Sequence, residues 1–248
     1  MTFAPISLEE LNAKAALLSR VDKKYIVDAD TFQALTERLE GDFVALEIDG
    51  RRLFTYHTVY FDSDDLELYD AHLKGRRRRF KCRSRHYVET GRCVFEIKLK
   101  GLRGRTLKHQ LPIDPRVHGQ MTEEAQGFAS RILRETYGHG LEHDLRPVLP
   151  MTYQRLTLAA KEGAQRVTCD FSLDFGTAGL ADGHAIIESK SENGRGKVDR
   201  ALRGLGVRPI SCSKYCAGIG MTREVRANPF NQLLSRYYVA RPAAAQPA

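Results

Sequence analysis

Basic side chains alternate with other residues along two neighbouring segments of this 248-residue chain, at positions 79–87 and 92–100. In the first segment, every second position is basic: Arg79, Lys81, Arg83 and Arg85. In the second, Cys, Phe, Ile and Leu alternate with Arg, Val, Glu and Lys. Successive side chains of a β-strand point to opposite faces. The pattern therefore predicts strands of a sheet with one apolar face and one densely cationic face.

The predicted cationic face requires either water or an anion beside it. Two like charges about 4 Å apart repel by ~1 kcal/mol in water, and by several times that near a protein surface. Solvation explains one such strand well enough. Charged positions nevertheless recur on six predicted strands, the later ones being Glu96, Lys98, Lys100, Lys108, Arg155, Arg166, Asp170, Glu188 and Lys190. A polyanion between these groups is therefore favoured over simple solvation.

Composition limits the class of partner and the compartment. The net charge of +8 and a pI near 9.3 favour nucleic acid, phosphate compounds or an acidic membrane surface. We find no apolar run of about 18 residues and no secretory signal in residues 1–10. The five cysteines are odd in number and irregularly spaced, which is typical of a reducing compartment. A cytoplasmic protein is expected.

Periodicity and turn residues predict about eight strands with helices between and after them. The predicted strands are residues 20–28, 53–61, 79–89, 92–100, 105–112, 151–160, 165–173 and 184–190. Helices are predicted at residues 7–18, 31–40, 122–137, 197–205 and 229–237, with a short helix and loop within 62–75. Short connections favour antiparallel pairing, so the predicted class is α+β. We expect one domain over residues 1–240 and a disordered tail at 241–248.

A barrel closed with the charged face inward would enclose a cationic tunnel and leave the apolar face under the helices. The motifs that carry the charges form an ordered series: Arg20-x-Asp22-Lys23-Lys24-Tyr25, Val59-Tyr60-Phe61-Asp62, Leu68-Tyr69, Gly75-Arg-x-Arg-x-x-Lys81-x-Arg83-x-Arg85, Phe95-Glu96-x-Lys98, Tyr153-x-Arg155, Arg166-Val-Thr-Cys-Asp170, Ile187-Glu188-x-Lys190 and Ser211-x-Ser213-Lys214-Tyr215. In order and spacing, this series resembles the VTC domain. That is the catalytic domain of the vacuolar transporter chaperone polyphosphate polymerases and their bacterial relatives. It is one of the triphosphate tunnel metalloenzymes, which also include the CYTH hydrolases.

The resemblance implies an eight-stranded antiparallel β-barrel tunnel that binds ATP and polyphosphate and transfers the γ-phosphate with the help of Mn²⁺ or Mg²⁺. The implied catalytic residues are Arg83, Arg85, Lys98 and Lys24. The implied phosphate-binding residues are Lys81, Lys108, Arg155, Arg166, Lys190, Ser213, Lys214 and Tyr153. Glu188 is the implied metal ligand. Fold-level analogy also implies a membrane-protein partner for the polymer, whereas the oligomeric state is left open.

The chemistry of these residue types suits phosphate. Arginine can grip phosphate oxygens with two parallel hydrogen bonds, which lysine cannot do, so Arg83 and Arg85 carry most weight. Mg²⁺ or Mn²⁺ can be held by one or two carboxylates while phosphates complete the shell. For Glu188, an ion pair with Lys190 or an arginine is about as good an explanation. Glu96 and Asp170 are expected to balance the lysines.

Three functions remain open from the sequence alone. The hydrolytic relatives begin with a Glu-x-Glu-x-Lys strand, but the matching stretch here is Arg20-x-Asp22-x-Lys24. Fewer carboxylates favour a transferase over metal-activated attack by water. A triphosphate hydrolase and a non-catalytic polyphosphate- or nucleotide-binding module are the alternatives. Nucleic-acid binding is not expected, because the aromatic residues fall mostly in apolar patterns rather than beside arginine as stacking platforms.

Overall fold

A computed structural model describes residues 3–14, 21–101, 106–211 and 213–242. The described residues form two compact units. The first is drawn from Met1–Phe54, Tyr153–Leu173 and Leu180–Cys212, and the second from Thr55–Thr152, Asp174–Gly179 and Ser213–Ala248. The predicted single domain and disordered tail remain predictions. Arg20, Cys212, Leu18 (the predicted end of the first helix) and most of the predicted tail lie outside the described residues.

Twelve strands are found among the described residues, in one sheet. They are β1 (Ala4–Ile6), β2 (Val21–Asp28), β3 (Phe43–Leu46), β4 (Leu53–Asp62), β5 (Phe80–Tyr87), β6 (Arg92–Lys100), β7 (Thr106–Pro112), β8 (Arg146–Ala160), β9 (Arg166–Asp174), β10 (Ala178–Leu180), β11 (His184–Ser191) and β12 (Tyr238–Ala240). The predicted α+β class and antiparallel sheet are confirmed. The described pairings link more than the predicted eight strands, and they do not close into a ring.

Seven α-helices accompany the sheet in the described part of the chain. They are α1 (Leu8–Lys14), α2 (Ala29–Leu39), α3 (Glu67–Leu73), α4 (Glu123–Tyr137), α5 (Lys197–Gly204), α6 (Lys214–Thr222) and α7 (Asn231–Tyr237). The prediction for α4 is confirmed, because Thr122 caps its first turn and Gly138, with φ 89°, ends it. None of the described helices is long and apolar enough to cross a membrane.

In the first unit, the strand order is β1-β3-β8-β9-β11-β2. The β1–β3 pair is parallel, whereas β3–β8, β9–β11 and β11–β2 are antiparallel. One face of this sheet packs Tyr25, Val27 and Ile187 against Leu35 of α2 and Leu202 of α5. Because strand side chains alternate, the next residues along each strand point to the opposite face. That face is the one predicted to be charged.

In the second unit, β4, β5, β6 and β7 pair in chain order, all antiparallel. Phe95, Ile97 and Leu99 of β6 are buried, and they pack against α4 through residues such as Ala129 and Leu133. The predicted division of β5 and β6 into an apolar and a charged face is therefore confirmed. Helices cover the apolar face, so the hydrophobic core lies on that side of the sheet. The charged face is not part of this core.

The sequence analysis missed α6 because two glycines interrupt its apolar pattern, and glycine disfavours helix interiors. The structure explains both glycines by close packing. A Cβ on Gly218 would lie 2.4 Å from Leu149 Cδ2, and one on Gly220 would lie 3.0 Å from Leu234 Cδ1. The signal that could have located the helix is Ser213, whose Oγ accepts the N–H of Cys216 at 3.0 Å as an N-cap. The short strands β1, β3, β10 and β12, of three or four residues each, were also missed.

Candidate functional site

Five basic side chains project from the face of β5, β6 and β7 that is opposite the helices. We call this surface the basic face and define it by Lys81, Arg83, Arg85, Lys98 and Lys108. The register places Lys81 opposite Lys98, and Lys98 opposite Lys108, on three adjacent strands. Residues directly opposite on antiparallel strands have Cβ atoms about 5 Å apart, where like charges destabilise the pair. The register thus brings three lysines side by side on one face of the sheet.

Glu96 is the carboxylate that holds the basic face together. Its side chain is 1% exposed, and it accepts hydrogen bonds from Arg83, from Lys108 Nζ at 2.6 Å and from Gln110 Nε2 at 2.6 Å. Arg85 Nη1 lies 3.8 Å from the same carboxylate. A buried charge is tolerated when it is paired and fully hydrogen-bonded. The predicted role of Glu96, balancing the lysines, agrees with its contact with Lys108.

The mutual field of these groups shifts their pKa values. Burial raises the pKa of Glu96, but the charges of Arg83, Arg85 and Lys108 outweigh it and hold that pKa well below its ordinary value. Burial lowers the pKa of Lys108 to about 8, although Glu96 acts in the opposite direction. Part of the positive charge on this face is therefore lost just above neutral pH.

Aromatic rings lie directly beside the arginines, so the expectation that they avoid arginine is wrong for this face. Arg83 lies 5.7 Å from the centre of the Tyr60 ring, and Arg85 lies 5.3 Å from that of Tyr56. Arg83 Nη1 also donates to Tyr60 Oη at 2.9 Å. Burial raises the pKa of Tyr60, but Arg83, Lys81 and Arg85 outweigh burial and lower it to about 8. Tyr60 lies opposite Arg83 in the β4–β5 register, which the sequence alone did not predict.

Ser213 and Lys214 lie at the start of α6, beside the basic face within the second unit. Lys81 Nζ donates to Ser213 Oγ at 2.9 Å. The hydroxyl therefore has two tasks, because it also caps α6. The two residues and Lys81 were predicted from separate motifs more than a hundred positions apart, and the fold brings Ser213 and Lys81 into contact.

The first unit carries the remaining predicted residues on the face of its sheet that is opposite α2 and α5. We call this the mixed-charge face; its members are Lys24, Tyr153, Arg155, Arg166, Asp170, Glu188 and Lys190. Arg155 makes a two-pronged ion pair with the buried Asp170, with Nε–Oδ1 at 2.6 Å and Nη2–Oδ2 at 2.8 Å. Its guanidinium also lies 5.3 Å from the centre of the Tyr153 ring. Asp170 thus balances an arginine, whereas it was expected to balance the lysines.

Glu188 is surrounded by groups of different character. It lies opposite Lys24 on β2 and opposite Thr168 on β9. Its Oε1 is 3.5 Å from Lys190 Nζ, which is longer than a strong charged hydrogen bond. Burial lowers the pKa of Lys190, while Glu188 opposes that shift. The carboxylate therefore lies farther from Lys190 than Asp170 lies from Arg155.

A divalent metal fits at Glu188 only if the substrate supplies further ligands. Within the described ranges, no group of three or more His, Cys, Asp or Glu side chains is arranged to hold a metal ion. The Thr168 hydroxyl, opposite Glu188, is buried and has no hydrogen-bond partner among the described residues. One carboxylate, one hydroxyl and several phosphate oxygens make a set of hard oxygen donors that suits Mg²⁺ or Mn²⁺.

Comparisons with known proteins agree with this geometry. The family model described as VTC domain matches residues 19–223. A solved structure from Hippeastrum, described as a proposed adenylyl cyclase with a dominant triphosphatase activity, is 15% identical with a TM-score of 0.54. That alignment covers 81% of this chain and 95% of the other. At this identity the likeness shows a shared fold.

Weaker similarities extend to bacteria and archaea. A proposed adenylate cyclase from Bacillus halodurans is 12% identical, with a TM-score of 0.48 over 79% of this chain and 94% of that one. A protein from Pyrococcus horikoshii OT3 is 15% identical, with a TM-score of 0.45 over 79% and 93%. No curated protein sequence matches this chain significantly.

The shifted pKa values predict that anion binding weakens as the pH rises from 7 to 9. Over this range Tyr60 gains a negative charge and Lys108 loses a positive one. Tripolyphosphate affinity should therefore fall about tenfold or more. Folding lowers the pKa of Tyr60, so its ionised form stabilises the folded protein. This contribution to the free energy of unfolding is full above about pH 10 and is lost as the pH falls through about 8.

Calorimetric titration at constant ionic strength measures this effect. The tripolyphosphate affinity of Tyr60→Phe should fall less between pH 7 and 9 than that of the wild type. Tyr237→Phe, a control on α7, should lose as much affinity as the wild type. Equal losses in all three proteins would contradict the assignment of Tyr60.

Proposed function

Because the chain belongs to the VTC domain family, we propose that it is an ATP-dependent polyphosphate polymerase. In this proposal, the γ-phosphate of ATP is transferred to the end of a growing polyphosphate chain. The observation that carries it is the row Lys81–Lys98–Lys108 beside Arg83 and Arg85, because such a dense row of cations suits a polyanion. The family indicates the reaction, and binding of a polyanion would explain why three lysines lie side by side in this row.

The proposed chemistry asks for positioning rather than for a general base. Phosphoryl transfer passes through a loose transition state with charge spread over the phosphate oxygens, so catalysis comes from placing and stabilising that charge. The attacking end of a polyphosphate chain is already ionised. Preorganised cations therefore suffice for the protein's part in the reaction.

The contacts of Arg83 define how it would bind phosphate. Its Nε and Nη2 face Glu96, and its Nη1 donates to Tyr60. In this proposal the guanidinium, held in place by Glu96 and Tyr60, presents Nη1 and Nη2 to phosphate oxygens. Lys98 is exposed on the same face, and it supplies a mobile charge rather than a fixed fork.

On the mixed-charge face, Glu188 with Thr168 would hold the metal, and Lys24, Arg155, Arg166 and Lys190 would bind phosphate oxygens. A bound Mg²⁺ or Mn²⁺ neutralises phosphate charge and acts as a Lewis acid. Lys24, directly opposite Glu188 in the register, is placed to contact a phosphate near that carboxylate. With a metal ion beside Glu188, the Lys190 ammonium would bind a phosphate oxygen instead of the Glu188 carboxylate.

Hydrolysis of triphosphates is the second candidate. It is favoured by the fold shared with the Hippeastrum protein, whose description gives a dominant triphosphatase activity. The two candidates use the same cations and differ in the acceptor, which is a phosphate chain end or water. A third possibility, binding without turnover, needs the basic face but not Glu188.

Incubation with ATP and Mn²⁺ should yield polyphosphate chains, separated by gel electrophoresis, in excess of free phosphate. Lys98→Ala and Arg83→Lys should lower the rate about 100-fold. The first removes a positive charge, and the second removes a fixed two-pronged donor, from the charge that develops in the transition state. Arg83→Lys retains a cation for Glu96, so the fold should survive; thermal unfolding checks this.

Arg116→Ala is the matched control, because Arg116 is 89% exposed in the same unit and makes an ion pair with Asp114. It should keep wild-type activity. Free phosphate as the only product would replace the polymerase with the hydrolase. Normal rates in Lys98→Ala and Arg83→Lys would remove the basic face from the reaction.

Replacing Glu188 separates metal use from anion binding. Glu188→Gln should raise the Mn²⁺ concentration for half-maximal activity at least about tenfold, since it removes the charged ligand. The same variant should bind tripolyphosphate without metal as tightly as the wild type or more tightly, because a negative charge is lost. An unchanged Mn²⁺ requirement would contradict the metal assignment.

A further inference from the structure

Tyr215, in the first turn of α6, lies beneath one member of the basic face. Its side chain is 1% exposed, and Lys81 Nζ lies 5.7 Å from the centre of its ring. The same ammonium donates to Ser213 Oγ, two residues earlier. Two groups of the same helical turn therefore determine where the Lys81 charge lies, one through a hydrogen bond and one through the face of the ring.

Asp62 fixes Tyr215. The carboxylate is 0% exposed, and it accepts three backbone N–H groups: those of Ser63 at 2.8 Å, Leu68 at 2.9 Å and Tyr69 at 2.9 Å. Tyr215 Oη donates to Oδ2 of the same carboxylate. The backbone hydrogen bonds orient the carboxylate rigidly, so Tyr215 Oη has one well-defined acceptor.

A second contact connects Tyr215 to the arginines. Its ring centre lies 4.9 Å from that of Tyr60, whose hydroxyl accepts from Arg83. Asp62 and Tyr60 are two residues apart on β4, so both side chains leave the strand on the same face. The Asp62–Tyr215 pair thus contacts Lys81 through the Tyr215 ring. It reaches Arg83 indirectly, through the ring of Tyr60.

From this geometry we infer that Asp62 and Tyr215 are positioning residues, which hold the start of α6 so that Ser213 aims the Lys81 ammonium at substrate phosphate. The inference rests on the proposed function for its substrate class. Neither residue touches the phosphate. Their contribution is to preorganise a cation that would otherwise be pushed away from Lys98 by repulsion.

A neighbouring tyrosine provides a matched control. Tyr69 is also buried, and its ring centre lies 6.4 Å from that of Tyr215. Its hydroxyl donates to the backbone carbonyl of Arg226 at 2.9 Å instead of to a carboxylate beside the basic face. Tyr69→Phe and Tyr215→Phe each delete one buried hydroxyl from the same cluster. They should therefore cost similar stability but differ in their effect on Lys81.

A double-mutant cycle tests the inference with the full chain and inorganic tripolyphosphate, without metal or turnover. Tyr215→Phe alone should weaken binding about 3- to 10-fold, the worth of one hydrogen bond, and Lys81→Ala about tenfold. With Lys81 absent there is nothing left to position, so the double variant should bind like Lys81→Ala alone. Tyr69→Phe should leave affinity unchanged in either background.

The outcomes separate the inference from the function on which it rests. Losses that multiply, to about 30- to 100-fold in the double variant, would overturn the positioning role while leaving tripolyphosphate as the ligand. Equal effects of Tyr215→Phe and Tyr69→Phe would overturn it as well, by showing a general loss of packing. Failure of the wild type to bind tripolyphosphate would overturn the inference together with the proposed function. Asp62→Asn, which retains the size of the side chain, should reproduce the effect of Tyr215→Phe.

Discussion

The pairing of Glu96 with its basic neighbours is the interaction on which the basic face depends. The carboxylate is almost fully buried, yet it gathers Arg83, Lys108 and Gln110 at hydrogen-bond distance and lies near Arg85. Removing one partner of such a network is far more damaging than the net worth of the pair, because the other charge is left buried and uncompensated. Glu96 is therefore what allows several cations to share one side of a three-strand sheet.

The same face also gathers like charges. The five cations that define the basic face lie close together, and the row of three lysines adds repulsion across the strands. On the mixed-charge face of the other unit, Asp170 makes a two-pronged ion pair with Arg155, and Glu188 lies 3.5 Å from Lys190. Both faces would gain stability from a polyanion, and the second would gain from a cation that comes with it.

Strand alternation made much of this predictable. The alternating pattern at positions 79–87 and 92–100 predicted which side chains share a face of the sheet. The family resemblance predicted that these side chains bind phosphate. Pairing register was not predictable, because nothing local in the sequence says that Lys98 lies between Lys81 and Lys108. Helix α6 escaped prediction because its glycines are explained only by contacts with Leu149 and Leu234. Ser213, its N-cap, was predicted as a phosphate-binding residue, whereas the contacts of Tyr215 in its first turn were not predicted.

Lysine footprinting by acetylation and mass spectrometry, with and without tripolyphosphate, tests the central claim most directly, because it reads each ammonium separately. If the basic face binds polyphosphate, Lys98 and Lys108 should be protected. Lys74, an exposed residue in the same unit that pairs with Asp70 at 2.8 Å, should keep its reactivity. Unchanged reactivity of Lys98 and Lys108, or protection of Lys74 to the same extent, would contradict a polyanion site on β5, β6 and β7.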